Sequence, residues 1–115
     1  MHEVSLVQAL FDQTDRAITP HSGARVQKVT VRIGELAGVE CELFRTAFDG
    51  LKSERGYAAA VLQIIEEAAA WRCAGCGAVV ASDGVLRCGS CDGAVRLAAG
   101  GDLILQRVEL EVVDV

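Results

Sequence analysis

Cys73-Ala74-Gly75-Cys76, followed after eleven residues by Cys88-Gly89-Ser90-Cys91, is the stretch that decides how this chain is built. Two Cys-x-x-Cys pairs at this spacing can supply four thiolates to one tetrahedral ion, and the reading is a structural zinc site. Each pair requires a tight turn that aims both sulfurs at one point. Ala74, Gly75, Gly77, Gly89 and Gly93 are the small residues such turns use. Four cysteine ligands leave no open coordination position for a substrate, so the segment implies metal-held architecture and not a catalyst. Redox-active dithiols and rubredoxin-like iron are the weaker readings, since iron asks for a more aromatic surround.

On both sides of the cysteines the hydrophobic pattern changes period. Val4, Val7, Leu10, Phe11 and Ile18 recur mostly at helical intervals over Glu3 to Ile18, and Thr19-Pro20-His21-Ser22-Gly23 stops that helix. Val29, Val31 and Ile33 alternate with Lys28, Thr30 and Arg32, the period of a strand that ends at Gly34. Leu43, Phe44, Ala47, Phe48 and Leu51 mark a second helix from near Glu40 to about Lys52, with Glu40 and Glu42 near its positive end. Ala60 to Ile65 reads as a second strand and Leu103 to Val113 as a third. In the third, Ile104, Val108, Leu110 and Val112 are expected on one face and Arg107, Glu109 and Glu111 on the other. The cysteine segment therefore falls between two strands of one sheet. The expected fold class is α+β: two helices packed on a small three-stranded sheet, with an inserted zinc-ribbon lobe. Residues 1–70 plus 98–115 form the first domain, and 71–97 the four-cysteine insert.

Bulk properties narrow the function. With 51% hydrophobic and 23% charged residues the chain is a folded protein, and 115 residues leave no room for a large enzyme. The net charge of −5 falls to about −7 once four thiolates hold one Zn²⁺, and there is no basic stripe, so nucleic acid is not an expected partner. There is no stretch of the roughly 20 apolar residues that a membrane span needs, and no signal-peptide pattern. Five cysteines, four in metal spacing and one left over, suit a reducing compartment, so a cytoplasmic location is expected.

The other informative residues are Met1-His2-Glu3. A terminal amine, the His2 amide nitrogen and the imidazole Nδ1 can close five- and six-membered chelate rings on one ion. Loss of an amide proton to a metal favours Ni(II) or Cu(II), whose square-planar preference rewards strong nitrogen donors. Glu3 can complete or neutralise such a site.

Met1-His2-Glu3-Val4-Ser5-Leu6 leading a helix, Val31-Arg32-Ile33-Gly34-Glu35-Leu36-Ala37-Gly38-Val39-Glu40 at a strand end, the paired Cys-x-x-Cys and the closing Leu103-Ile104-Leu105-Gln106-Arg107-Val108-Glu109-Leu110-Glu111-Val112 together resemble the HypA/HybF family. These are the nickel-incorporation proteins of NiFe-hydrogenase maturation, and the likeness runs in order through nearly the whole chain. The resemblance implies a nickel metallochaperone with Met1, His2 and Glu3 at the nickel site and Glu40 as a candidate neighbour of it. It implies structural zinc on Cys73, Cys76, Cys88 and Cys91. It also implies partnership with the nickel-insertion GTPase and the hydrogenase large-subunit precursor, and it allows a homo-oligomer. The second pair lacks the proline often found after its first cysteine, and Gly101-Asp102-Leu103 replaces the more usual Gly-x-Glu-Leu; neither change removes a ligand.

Two other functions compete. One is an adaptor whose ribbon acts only through protein contacts. The other is an enzyme using Cys41 or a histidine, which ranks lowest because there is no Ser-His-Asp arrangement and no phosphate loop. Cys41 reads as a small, partly buried hydrophobe. His21 reads as a solvated loop residue, Glu66-Glu67 as a solvated strand edge, and Trp71 as packing at the junction of the lobes.

Overall fold

The strand around Val29 is the centre of the architecture. A computed structural model describes residues 2–21, 23–81 and 86–112. In it β1 (Ala24–Gly34) lies between β2 (Val61–Glu67), which is parallel to it, and β6 (Leu103–Val112), which is antiparallel. Parallel neighbours need a crossover, and α2 (Cys41–Leu51) supplies it. Helix α1 (His2–Ile18) packs beside α2 on the same face of the sheet. The shared core consists of Val7, Leu10 and Phe11 of α1, Phe44 and Phe48 of α2, and Val26, Val29, Val31, Ile33 and Leu62 of the sheet, closed by Tyr57 and Ala60. Phe11 stacks on Phe48 at 5.2 Å and on Tyr57 at 5.4 Å. Arg55 covers the Phe11 ring and pairs with Asp12 and Asp15, while the Tyr57 hydroxyl donates to Asp15.

Several expectations need correction, each for a local reason. Strand β1 starts at Ala24, not Lys28, because Gln27 is an extra residue against β6 and turns Val26 back into the core. On β6 a second extra residue, Gln106, reverses the alternation. Leu103 and Leu105 therefore join Val108 and Leu110 on the helix side, and Ile104, expected on that face, is 47% exposed. Leu43 is 52% exposed, since the stripe of α2 that meets the sheet runs through Phe44, Phe48 and Leu51.

Beyond β2 the chain builds a second small sheet. Its strands β3 (Ala70–Cys73), β4 (Val79–Val80) and β5 (Val95–Ala99) lie in the order β4-β3-β5, all antiparallel. Trp71 packs in this lobe with Cys73, Val80, Cys88, Ala78 and Val95, so it belongs to the ribbon's own cluster and does not bridge the two lobes. The molecule is elongated: its radius of gyration is 18.1 Å, against about 13 Å for a compact chain of this length.

The joint between the sheets is tightly specified. Gly34 N–H donates to the Asp102 carbonyl, Leu36 N–H to the Gly100 carbonyl and Glu35 N–H to the Glu67 carbonyl. The Glu35 carboxylate accepts from Ala69 N–H, and that of Glu67 accepts from Gly100 N–H and Arg32 Nη1. Glu67 is thus a fastening and not the solvated edge residue its position suggested. At Gly34 a methyl group would lie 2.2 Å from the carbonyl carbon and oxygen of Gly100, which itself sits at φ +88°. Gly34→Ala is expected to cost about 2 kcal/mol or more in urea unfolding of the metal-loaded protein. Gly50→Ala, in α2 with open space around it, should instead stabilise by about 1 kcal/mol; equal effects would show that the joint is not tightly packed.

Candidate metal centres

The cysteine pairs adopt the same local fold. In the first, Cys73 N–H donates to the Ala78 carbonyl and Gly77 N–H to the Cys73 carbonyl; in the second, Cys88 N–H donates to Gly93 and Asp92 N–H to Cys88. Both turns need a left-handed residue right after the second cysteine. Gly77 serves at φ 75°, and Asp92 at φ 57°, with Arg87 pairing to its carboxylate at 3.0 Å. Within the turns, Gly75 and Cys76 N–H groups point at Cys73 Sγ (3.3 and 3.4 Å), and Ser90 N–H points at Cys88 Sγ (3.4 Å).

These turns bring the four sulfurs together. Cys73 and Cys91 Sγ are 3.4 Å apart, Cys76 and Cys88 Sγ 3.5 Å, and all four lie within 4.8 Å of one another. Such separations are too long for disulfides. They suit a tetrahedron around an ion with metal–sulfur bonds of about 2.3 Å, whose edges would be about 3.8 Å. Gly93 keeps this space open, since a methyl group on it would crowd Cys91 Sγ at 3.1 Å and Cys73 Sγ at 3.2 Å and push the sulfurs by a few tenths of an ångström. The donor set and its spacing fit zinc.

Electrostatics divide the quartet. The Cys76 and Gly75 amides draw the Cys73 thiol down to about 6, and the Cys91 and Ser90 amides lower that of Cys88. The Cys73 sulfur, by contrast, pushes Cys91 up to about 12; at Cys76 the Ala78 amide pulls downward, but the Cys88 and Cys73 sulfurs together outweigh it and raise the thiol. Close sulfurs hold some of the protons until an ion replaces them.

At the other end of the chain, Met1 lies outside the described residues, while His2 opens α1 with an exposed side chain. Its Nδ1 is 3.5 Å from Glu3 Oε2. Glu3 Oε2 also accepts from the Glu40 backbone amide at 3.4 Å, which holds the Glu3 carboxyl below the usual carboxylate range. Glu40 caps α2: its own carboxylate accepts from Glu42 N–H at 3.1 Å. Residues far apart in sequence thus meet where both helices begin, and first-turn amides there have no helical acceptor. A groove of 280 Å³ runs beside His2, lined by Leu6, Leu10, Val39, Asp102 and Leu103 among others.

Cys41 is half-buried beside Glu66; burial, and then that carboxylate, push its thiol up, as suits a packing residue. His21 is exposed. Sequence reasoning missed the fastening roles of Glu35, Glu67 and Gly100. Their only signal was the Gly-Glu-Leu strand end and the Gly-Gly pair, which carry no information about which residue each would meet. No described helix is long and apolar enough to cross a membrane.

If the quartet takes up one divalent ion, the thiols still protonated at neutral pH must lose their protons. Zinc binding to the metal-free protein at pH ~7, where cysteines of the unassembled lobe titrate near ~8.5, is expected to release about four protons. Calorimetry in buffers of different ionisation enthalpy measures this; release of none would contradict thiolate ligation.

The family described as "Hydrogenase/urease nickel incorporation, metallochaperone, hypA" matches residues 1–110. The hydrogenase maturation factor HypA of Shewanella halifaxensis (strain HAW-EB4) is 34% identical over 113 residues, spanning 96% of this chain and 98% of its own. That of Nitrosospira multiformis is 35% identical over 114 residues, spanning 96% and 97%. Among solved structures, one described as the solution structure of HypA protein is similar with a TM-score of 0.80 at 25% identity, covering 97% of this chain and 98% of that one. The solution structure of the Ni metallochaperone HypA from Helicobacter pylori shares the fold, with a TM-score of 0.71 at 24% identity and coverage of 94% and 96%. The chain belongs to the HypA family of hydrogenase/urease nickel-incorporation proteins, which are metallochaperones and not enzymes.

Proposed function

We propose that this chain binds Ni(II) at its N-terminus and delivers it during NiFe-hydrogenase maturation, with zinc as a structural ion. Nickel is held by the Met1 amine, backbone amide nitrogen and the His2 imidazole, with Glu3 completing or neutralising the site and Glu40 beside it. The observation that carries this reading is the meeting of His2, Glu3 and Glu40 where α1 and α2 begin. Those positions offer nitrogen donors that the helix itself does not use. Zinc is held by Cys73, Cys76, Cys88 and Cys91, whose sulfurs converge. The nickel-binding domain comprises residues 1–70 and 98–115, and the zinc insert residues 71–97.

The split of tasks follows from the two donor sets. A closed quartet of thiolates retains its ion, whereas an exposed chelate at a helix start can be taken apart one ligand at a time. The nickel-insertion GTPase and the hydrogenase large-subunit precursor are the partners this role requires, in the cytoplasm.

His2→Ala, or one residue added ahead of Met1, is expected to abolish stoichiometric nickel binding and hydrogenase maturation while leaving zinc content unchanged. Metal analysis and an activity assay of the matured hydrogenase read both. Nickel binding that survives either change would contradict the assignment and favour the adaptor reading. An amine and an imidazole bind metal only when deprotonated, so nickel affinity should also fall as pH drops from about 8 to about 6. Calorimetry that finds a flat affinity over that window would exclude these ligands.

A further inference from the structure

Strand β6 is an edge of the large sheet, ten residues long, with no neighbour beyond it in the described chain. Edges of this length are ordinarily blunted or covered. Here Ile104 is 47% and Val112 65% exposed, and a 320 Å³ groove lined by Ala17, Ile18, His21, Leu105, Val108 and Leu110 runs between the end of α1 and the strand. We propose that this edge pairs with β6 of a second copy of the chain, antiparallel about a two-fold axis at Val108, joining two three-stranded sheets into one of six strands.

The sequence of the strand is complementary to itself in that register. Val108 faces Val108 of the second copy on the helix side. One step out, Arg107 faces Glu109 of the second copy, and Glu109 faces its Arg107, on the open side. The extra residue at Gln106 then lets Leu110 meet Leu105 of the second copy, just as it lets Val31 of β1 meet Leu105 within the chain. The central pairs therefore match in face and in chemistry, apolar with apolar toward the helices and opposite charges away from them; one step further out on the open side Ile104 falls opposite Glu111 and contributes no such match. Without Gln106 as a bulge, Leu105 would fall opposite Glu111. Among the described residues Arg107 has no ion-pair partner, and Glu109 makes only a contact at the 4.0 Å limit with Lys28, its side chain 44% exposed. A generic extended peptide would satisfy the backbone but would have no reason to match these charges.

The arrangement also keeps the metal sites apart. The groove beside His2 reaches Leu103, at the opposite end of β6 from Val112. Antiparallel pairing therefore carries the two Leu103 ends, and with them both copies of His2, in opposite directions.

Sedimentation equilibrium of the zinc-loaded protein from about 10 µM to about 1 mM should show a monomer–dimer equilibrium, because two paired strands bury an area at the small end for stable interfaces. Arg107→Glu and Glu109→Arg are each expected to weaken self-association roughly tenfold by placing like charges opposite one another twice. Mixing the two variants should restore association as a one-to-one heterodimer, since both acidic side chains of the first variant then face both basic side chains of the second. Circular dichroism checks that each variant is folded; Arg107 is exposed and outside the core. A chain that stays monomeric to about 1 mM would overturn the proposal, as would a dimer indifferent to the single changes or variants that fail to recover on mixing.

Discussion

The large sheet loses its chain after Glu67 and recovers it at Leu103, and everything between must leave and return through a gap set by the contact of Gly34 with Gly100. That contact has no room for a side chain. Backbone hydrogen bonds from Gly34, Glu35 and Leu36, together with the Glu35 and Glu67 carboxylates, hold both strands of the excursion at the end of β1. The same turn continues through residues 37–39 to Glu40, whose amide binds Glu3. One short segment thus fixes where the cysteine lobe departs and where the start of α1 is anchored. The two proposed metal addresses are positioned from a single structural corner.

The lobes are stabilised by different physics. The larger buries a continuous core of aromatic and branched side chains contributed by both helices and all three strands. In the smaller, Cys73, Val80 and Cys88 form the buried cluster, with Trp71, Ala78 and Val95 packed against it. A cluster of that size does not offset the conformational entropy of some thirty residues, which is why small lobes of this kind recruit a metal. Ligation and folding are then one event there. At the start of α1 the situation differs: that helix is anchored by Val7, Leu10 and Phe11 in the large core, so the proposed nickel site is not what folds its lobe.

Much of this was readable in the chain. The Cys-x-x-Cys pairs announced the lobe, helical spacing announced α1 and α2, and alternation announced the three long strands. The exceptions share a cause. Gln27 and Gln106 each add one residue to a strand, and a reading by alternate positions cannot detect an extra residue whose effect depends on the neighbouring strand. Ile104 was therefore assigned to the wrong face, while Val26 and Leu103 were overlooked. Glu67 looked like a solvated edge because its partners, Arg32 and Gly100, are thirty or more residues away. The nearness of Glu40 to Glu3, 37 positions apart, was expected only through the family resemblance, since nothing in the local pattern of either segment points to the other.

The most direct measurement is X-ray absorption at the zinc and nickel edges of protein loaded with one equivalent of each metal. Four sulfur scatterers at about 2.3 Å around zinc, with only nitrogen or oxygen donors around nickel, is the expected pair of spectra. Sulfur in the nickel shell, or nitrogen in that of zinc, would contradict the division into a retained ion among the cysteines and a transferable one at the start of the first helix.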